Sequence, residues 1–249
     1  VDVQSGRFVV QVEAWLPGLE RVLIDRFDIF APPPSAPGGA DRRLDPARYG
    51  EDWDALFEIA GRGYRVTGTD RALKPVATVI DMQGEAGVTP NALAFWRHAR
   101  RSHPGRFFLQ RGQPGEGRKR AELRRPESAH QGKQFAARDV PIIRTGTDRL
   151  KDEIAASLTR EVGGSRKLSV PRFAPSEVFA EYAAERRTAN GWRPRPGCKR
   201  NEALDLSVYA LALAIILEAE AIDWSNPPIW ARPGPGNSFS ASIAPPASD

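Results

Sequence analysis

Cysteine is almost missing from this chain. Among 249 residues there is one, Cys198, so no internal disulfide can form and no cysteine-rich zinc site can be built. A lone thiol suits a reducing compartment, and with no histidine near it in sequence a thiol nucleophile is not indicated. Methionine is as scarce. The only one is Met82, and the chain opens on "VDVQ" with neither a starting Met nor a signal-peptide pattern. It reads as a piece that begins directly before a strand. Apolar runs are short: Val208 to Leu217 is about half of the roughly 20 residues that span a bilayer. Histidine is limited to His98 and His103, beside a basic helix end, and His130 in a polar loop, settings that favour no catalytic role.

What is present fits a globular domain. The hydrophobic fraction is 41%, enough for a sizeable core, and 22 prolines with 22 glycines imply long loops around it. The net charge of +5 leaves room for an anionic partner.

Periodicity divides the chain. Residues 1–30 hold three strand-like runs split by "SGR" and "LPGLE", an antiparallel meander. "PARYGEDWDALFEIAGRGY" places Trp53, Leu56, Phe57 and Ala60 at helical spacing. "PVATVIDMQG" is a short buried strand ending in an acid. "TPNALAFWRHARRS" is a helix with Thr89 as N-cap and Pro90 at its first position, and "GRFFLQRGQP" a further strand. This strand–helix–strand order implies parallel pairing. Residues 111–138 read as an exposed basic loop. "VPIIRTG" is a strand. Helices follow over "TDRLKDEIAASLTREV", capped by Thr147, over "PSEVFAEYAAERRTANG", capped by Ser176, and over "KRNEALDLSVYALALAIIL". The expected organisation is one domain over residues 1–224 and a flexible Pro/Ser/Gly-rich tail over 225–249.

Three acids stand inside apolar elements. Asp2 lies between Val1 and Val3, Asp81 ends "VATVI", and Asp205 opens the last helix. A buried carboxylate is expensive unless it is paired, hydrogen-bonded or bound to a metal, and no cluster of bases lies beside these three in sequence. Together they point to a cation site. Glu202 shares the helical face of Asp205, but it sits in the first turn, where the helix dipole alone favours an acid. An acid on the first strand of a meander, one at the end of a later parallel strand and one on a late helix form the layout of an RNase H-like nuclease core. That fold is α/β, a mixed central sheet flanked by helices. Hard oxygen ligands of this kind suit Mg²⁺ or Mn²⁺.

Four segments carry a closer likeness: "VDVQSGRFVVQVEAW", "VIDMQG", "TGTDRLKDEI" and above all "GWRPRPGCKRNEALDLSVYALALA". On these the chain resembles the C-terminal nuclease half of the bacteriophage terminase large subunit of the GpA, lambda-like type, over residues 1 to about 220. The resemblance implies an endonuclease of the DNA-packaging motor that cuts concatemeric double-stranded DNA by two-metal hydrolysis. It implies Asp2, Asp81 and Asp205 as the catalytic ligands of two Mg²⁺ or Mn²⁺ ions, with Glu202 as a weaker ligand or a support. Lys151 matches a family lysine expected to approach a DNA phosphate or the metals. The family's motor ATPase half has no counterpart here: no GxxxxGK[ST] loop occurs, and "EVGGSRKLS" at 161–169 lacks its ending. One departure is local. Many members follow the second acid with Ser-Gly, whereas Met82 and Gln83 precede Gly84 here.

Phosphate contact is expected from the basic loop, through Arg118, Lys119, Arg120, Arg124 and Arg125, with little base readout. The partners implied for the full protein are the small terminase subunit and the portal or procapsid, in the cytoplasm of an infected bacterial host, with no membrane and no secretion. Two rival readings remain on the residues alone. One is another RNase H-like enzyme, a resolvase or transposase core. The other is a non-catalytic module that docks on the portal or capsid.

Overall fold

The computed structural model describes residues 1–125 and 138–243. The opening meander forms as its alternation predicts: β1 (Asp2–Gln4), β2 (Arg7–Trp15) and β3 (Arg21–Ile29) pair antiparallel in order. A short strand β10 (Leu168–Ser169) adds parallel to β3. A second mixed sheet has the order β6 (Thr78–Asp81), β7 (Phe107–Gln113), β9 (Ile142–Gly146), β8 (Ala121–Arg124). Its first three strands are parallel and β8 is antiparallel to β9.

Two backbone bonds join the sheets. The Val1 nitrogen donates to the Val79 carbonyl at 2.7 Å, and the Asp81 N–H donates to the Val1 carbonyl at 3.0 Å. That pattern sets Val1 opposite Ile80 in a parallel pairing. β1 and β6 thus lie side by side at the centre of the combined surface.

Side-chain alternation then decides which helices cover which face. Val1, Val3, Phe8, Val10, Ile80, Phe107 and Leu109 share one core cluster with Trp53, Leu56 and the buried residues of α2 (Val88–Ser102). The alternate positions Val9, Val79 and Ile143 share another with Leu150 and Ile154 of α3 (Thr147–Leu158) and Leu204 and Val208 of α5 (Glu202–Ile216). Helices therefore flank both faces. The ten-residue apolar run of α5 is explained by its position: the helix packs across β1, β2, β6, β8 and β9 as well as α3. Among the described residues no helix is long and apolar enough to cross a membrane.

Several local expectations are corrected. The segment around Trp53 is a 3-10 turn over Gly50–Leu56 running into a short α1 (Phe57–Gly61). Thr147 and Ser176 are first helical residues rather than caps, following Gly146 and Pro175. Helix α2 starts at Val88 behind Gly87, and the Thr89 hydroxyl donates instead to the Met82 carbonyl at 2.8 Å. The helix expected across 175–191 stops early: α4 covers Ser176–Tyr182, and the chain then forms a hairpin of β11 (Glu185–Thr188) and β12 (Gly191–Pro194).

The basic loop is also partly strand, since β7 runs on to Gln113 and β8 pairs with β9. Its residues 126–137 lie outside the described residues. The stretch expected as a loose tail is pinned in part. β13 (Ser240–Ser242) pairs antiparallel with β5 (Arg71–Leu73), which also pairs with β4 (Tyr64–Arg65), and the Lys74 N–H donates to the Phe239 carbonyl at 2.8 Å. Short polar residues pair there because a partner edge supplies the backbone bonds, which no local pattern announces. Residues 244–249 lie outside the described residues.

Candidate active site

Parity places the acids. Val1 and Val3 face the α2 side, so Asp2 between them faces the α5 side; Asp81 is two residues from Val79 and faces the same way. Because β1 and β6 are adjacent, the two carboxylates are neighbours. Helix α5 crosses this face and brings Asp205 on its first turn to the same place. Three residues separated by more than 200 positions in sequence thus meet at one end of the central strands.

The electrostatics show the cost of that meeting. Burial pushes Asp81 up to about 7; the Gln83 N–H and the Tyr209 hydroxyl oppose the rise, while the negative charges of Asp2 and Asp205 add to it. Burial also raises Asp2, against a hydrogen bond from Gln4, and Asp2 feels the charge of Glu202. Asp205 is raised by burial against the pull of Lys151, with Glu185 and Asp2 as further like charges. Each acid therefore disfavours ionisation of the others.

Lys151 is the one cation in direct contact with these acids among the described residues. Its ammonium lies 2.8 Å from Asp205 Oδ1 and 2.8 Å from both Glu185 oxygens. Burial alone would lower it, but Asp205 and Glu185 hold it above its ordinary value. Asn201 completes the arrangement: its amide donates to Asp205 Oδ2 at 2.8 Å and to Glu185. Glu202 is turned away to Arg7 Nη2 at 3.3 Å and Arg200 Nε at 3.2 Å, so it has cationic partners that Asp2 and Asp81 lack.

Sequence reasoning missed three participants. Tyr209, one helical turn beyond Asp205, donates from its hydroxyl to Asp81 Oδ2 at 3.3 Å, and its spacing of four was the available signal. Burial and the surrounding acids push the Tyr209 hydroxyl well above its ordinary value, so it stays a donor. Glu185 and Asn201 carried no local signal, because their partners lie on other elements.

Asp148 is a fourth, and its role is to clamp. Its carboxylate accepts from the Gly115 N–H at 2.7 Å and the Trp192 N–H at 3.0 Å, fastening the turn before β8 and the β11–β12 hairpin to α3. Burial opposes ionisation here, but these bonds hold the carboxyl below its ordinary value. Gly191, at φ 93°, sits so close that a Cβ would lie 3.0 Å from Asp148 Oδ1. Asp148→Ala is expected to lower stability by about 2–4 kcal/mol, since two backbone donors lose their acceptor. The difference should shrink as pH falls through the native carboxyl value, because the wild-type bonds then weaken too. Denaturant melts at neutral and acid pH check both parts; equal stability of the two proteins at neutral pH would refute the clamp.

The basic residues expected at DNA divide into two groups. Arg120 is half-buried, held by Glu153 at 2.8 Å and Glu220 at 2.8 Å. Lys119 and Arg124 share Glu122 at 3.3 and 3.1 Å. Arg118 and Arg125 are exposed. The hairpin and its exit form a second basic stretch: residues 186–200 hold Arg186, Arg187, Arg193, Arg195, Lys199 and Arg200, all exposed, and no acid. Glu185, at the hairpin's first position, ties that stretch to Lys151 and the acids.

Among the described residues, no three His, Cys, Asp or Glu side chains converge closely enough to hold a metal ion as they stand. The donor set nevertheless suits one: oxygen only, largely shielded from water, mutually repelling, and with Lys151 as its one contacting cation among the described residues.

In comparison with known proteins, the family model for the terminase large subunit gpA endonuclease domain matches residues 1–224. No curated protein and no solved structure matches the chain.

Proposed function

This chain belongs to the terminase large subunit gpA endonuclease domain family, and from that premise we propose that it is a metal-dependent nuclease of RNase H-like fold that cuts concatemeric double-stranded phage DNA. The observation that carries the reading is the convergence of Asp2, Asp81 and Asp205 on one face, each raised by burial and by its neighbours. The strand order β3-β2-β1-β6-β7, with α5 across the acid-bearing face, supports the fold.

Asp2, Asp81 and Asp205 would hold two Mg²⁺ or Mn²⁺ ions, which when bound supply a water ionised near neutral pH and positive charge for the departing oxygen. Everything else falls to the chain. Lys151 and Asn201 fix the Asp205 carboxylate from two sides, and Tyr209 orients Asp81. These contacts pre-set ligand positions, as outer partners do at metal sites. Glu202, bonded to Arg7 and Arg200, anchors the start of α5 rather than serving as an equal ligand. In the full protein the partners would be the small terminase subunit and the portal or procapsid, in the cytoplasm of the bacterial host.

Asp81 must lose its proton to bind a cation. Since burial holds it up to about 7, Mn²⁺ affinity is expected to climb by up to about tenfold per pH unit toward pH 7 and then to level. Calorimetric titrations across that range measure this, and a flat profile would remove Asp81 from the ligand set.

DNA should bind through its backbone, on the hairpin stretch together with Arg118 and Arg125. Replacing Arg186, Arg193 and Lys199 with Ala should lower the slope of log affinity against log salt by about 2–3. Arg120→Ala should leave that slope nearly unchanged and reduce stability instead, since its two carboxylate partners lose their cation. The function itself is tested by Mn²⁺-dependent cleavage of linear duplex, a four-way junction and specific ends. Cutting of linear duplex with weak sequence preference is expected; cutting of the junction or the ends alone would favour a resolvase or transposase core. No cleavage and no metal binding would favour a docking module.

A further inference from the structure

Helix α3 presents a second chemical face. Lys151 turns toward the acids, whereas Arg149, Glu153, Ala156 and Ser157 lie on a face rotated by about 200°, with Arg160 two residues past the end of the helix. That face forms one wall of a cleft of about 320 Å³. The rest of the lining includes Leu19, Arg21, Arg120, Arg166 and Leu211. Five guanidinium groups therefore gather in one concavity, away from the acid cluster.

The charges do not cancel. Glu153 lies in the wall, Glu220 bonds Arg120 at 2.8 Å and Arg166 at 3.2 Å, and Glu13 lies 3.9 Å behind Arg21. Three carboxylates against five arginines leave an excess of two positive charges. Arg149 and Arg160 are exposed, and their side chains make no hydrogen bond or ion pair among the described residues. Arg21 is 2% exposed; its Nη2 donates to Ser157 at 3.1 Å, but its Nη1 has no hydrogen-bond acceptor. A buried guanidinium with an unused donor is costly, and burial already lowers its proton affinity.

The backbone is unusual here as well. Among the described residues three non-glycine positions have positive φ: Leu19 at 61°, Arg166 at 63° and Glu218 at 57°. Two line the cleft and the third lies two residues before Glu220. Such conformations persist where surrounding structure holds them and gather at binding sites. The segment "EVGGSRKLS", which is not a phosphate loop, supplies Arg166; its Gly164 N–H is occupied by Glu20 at 3.0 Å. Any anion here would be held by side chains.

We propose that this cleft binds a phosphate group, with Arg149 and Arg160 as entry ligands and Arg21 at its base. Planar guanidinium forks match phosphate oxygens in pairs, which suits an arginine-only cation set. The phosphate can come from a free polyphosphate or from the backbone of duplex held at the nuclease face. The proposal stands apart from cleavage, so measurements without divalent ions separate it from the catalytic reading.

The test uses the whole chain, in EDTA, with inorganic pyrophosphate and with a duplex of about 30 base pairs as separate probes, the length being set by roughly 3.4 Å per base pair against a domain of this size. Arg149→Ala/Arg160→Ala is compared with Arg149→Lys/Arg160→Lys and with Ala at the exposed Arg43 and Arg48. Pyrophosphate bound by wild type and at least about tenfold weaker in the first variant, with partial recovery in the lysine variant, supports a free phosphate ligand. No pyrophosphate binding, but a duplex salt slope lower by about 2 in that variant alone, supports a backbone phosphate. If neither probe distinguishes that variant from the Arg43/Arg48 control, the site does not exist.

Discussion

Asp205→Asn is expected to reduce Mn²⁺-dependent plasmid cleavage by more than about 100-fold while leaving the protein folded. Outer partners of metal sites commonly contribute 10- to 100-fold, and a direct ligand should exceed that range. The fold should tolerate the change because Asn keeps the shape and Lys151 retains Glu185 as its partner at 2.8 Å. Asp2→Asn and Asp81→Asn should behave alike. Metal-free, Asp2→Asn and Asp81→Asn should melt at or above the wild-type temperature, since a like charge is gone, whereas Asp205→Asn should melt somewhat lower, since it gives up the ion pair with Lys151 at 2.8 Å. Stability and activity moving in opposite directions at Asp2 and Asp81 is the signature of a site arranged for function. Full cleavage by all three variants would mean that the site is misassigned.

Lys151→Met should have the largest effect on stability. It removes the ammonium from one buried carboxylate, Glu185, and one partly buried, Asp205, at 2.8 Å each. Breaking a buried pair from one side costs about 3–5 kcal/mol, because an uncompensated charge stays behind. The same substitution should make the protein more responsive to divalent ions: Mn²⁺ should recover part of the lost melting temperature, since a cation at Asp205 replaces the missing charge. Thermal melts with and without Mn²⁺ read both effects. An unchanged metal-free melt would show that the ion pair is dispensable. The family resemblance implied a lysine near a DNA phosphate or the metal site; at 8% exposure Lys151 is bonded to Asp205 and Glu185, so its loss should act on folding and metal binding before it acts on DNA affinity.

The acids were legible in the sequence because a carboxylate within an apolar strand or helix is conspicuous; that Asp2 and Asp81 share a face follows only from the pairing of β1 with β6. The greasy helix that carries Asp205 was legible for the same reason, its uniform apolarity requiring neighbours on most sides. What was not legible depends on distant pairing. "AERRTANG" has the composition of a helix end, yet Asp148 and the partner strand draw it into a hairpin; the Asn190-Gly191 pair was the local turn signal, outweighed by the helical spacing before it. "AELR" carries so many neighbouring charges that it reads as loop, and only the β9 edge makes it a strand. Arg120 counted as a DNA contact until Glu153 and Glu220, 33 and 100 positions away, claimed it.

The most direct measurement is calorimetric titration of Mn²⁺ into the wild-type chain and the Asp2→Asn, Asp81→Asn and Asp205→Asn variants at pH near 7.5, above the Asp81 value of about 7. Saturable binding by wild type, lost or weakened at least about tenfold in every variant, is the predicted result. Binding that is absent in wild type, or the same in all four proteins, would contradict a divalent cation site built on these acids.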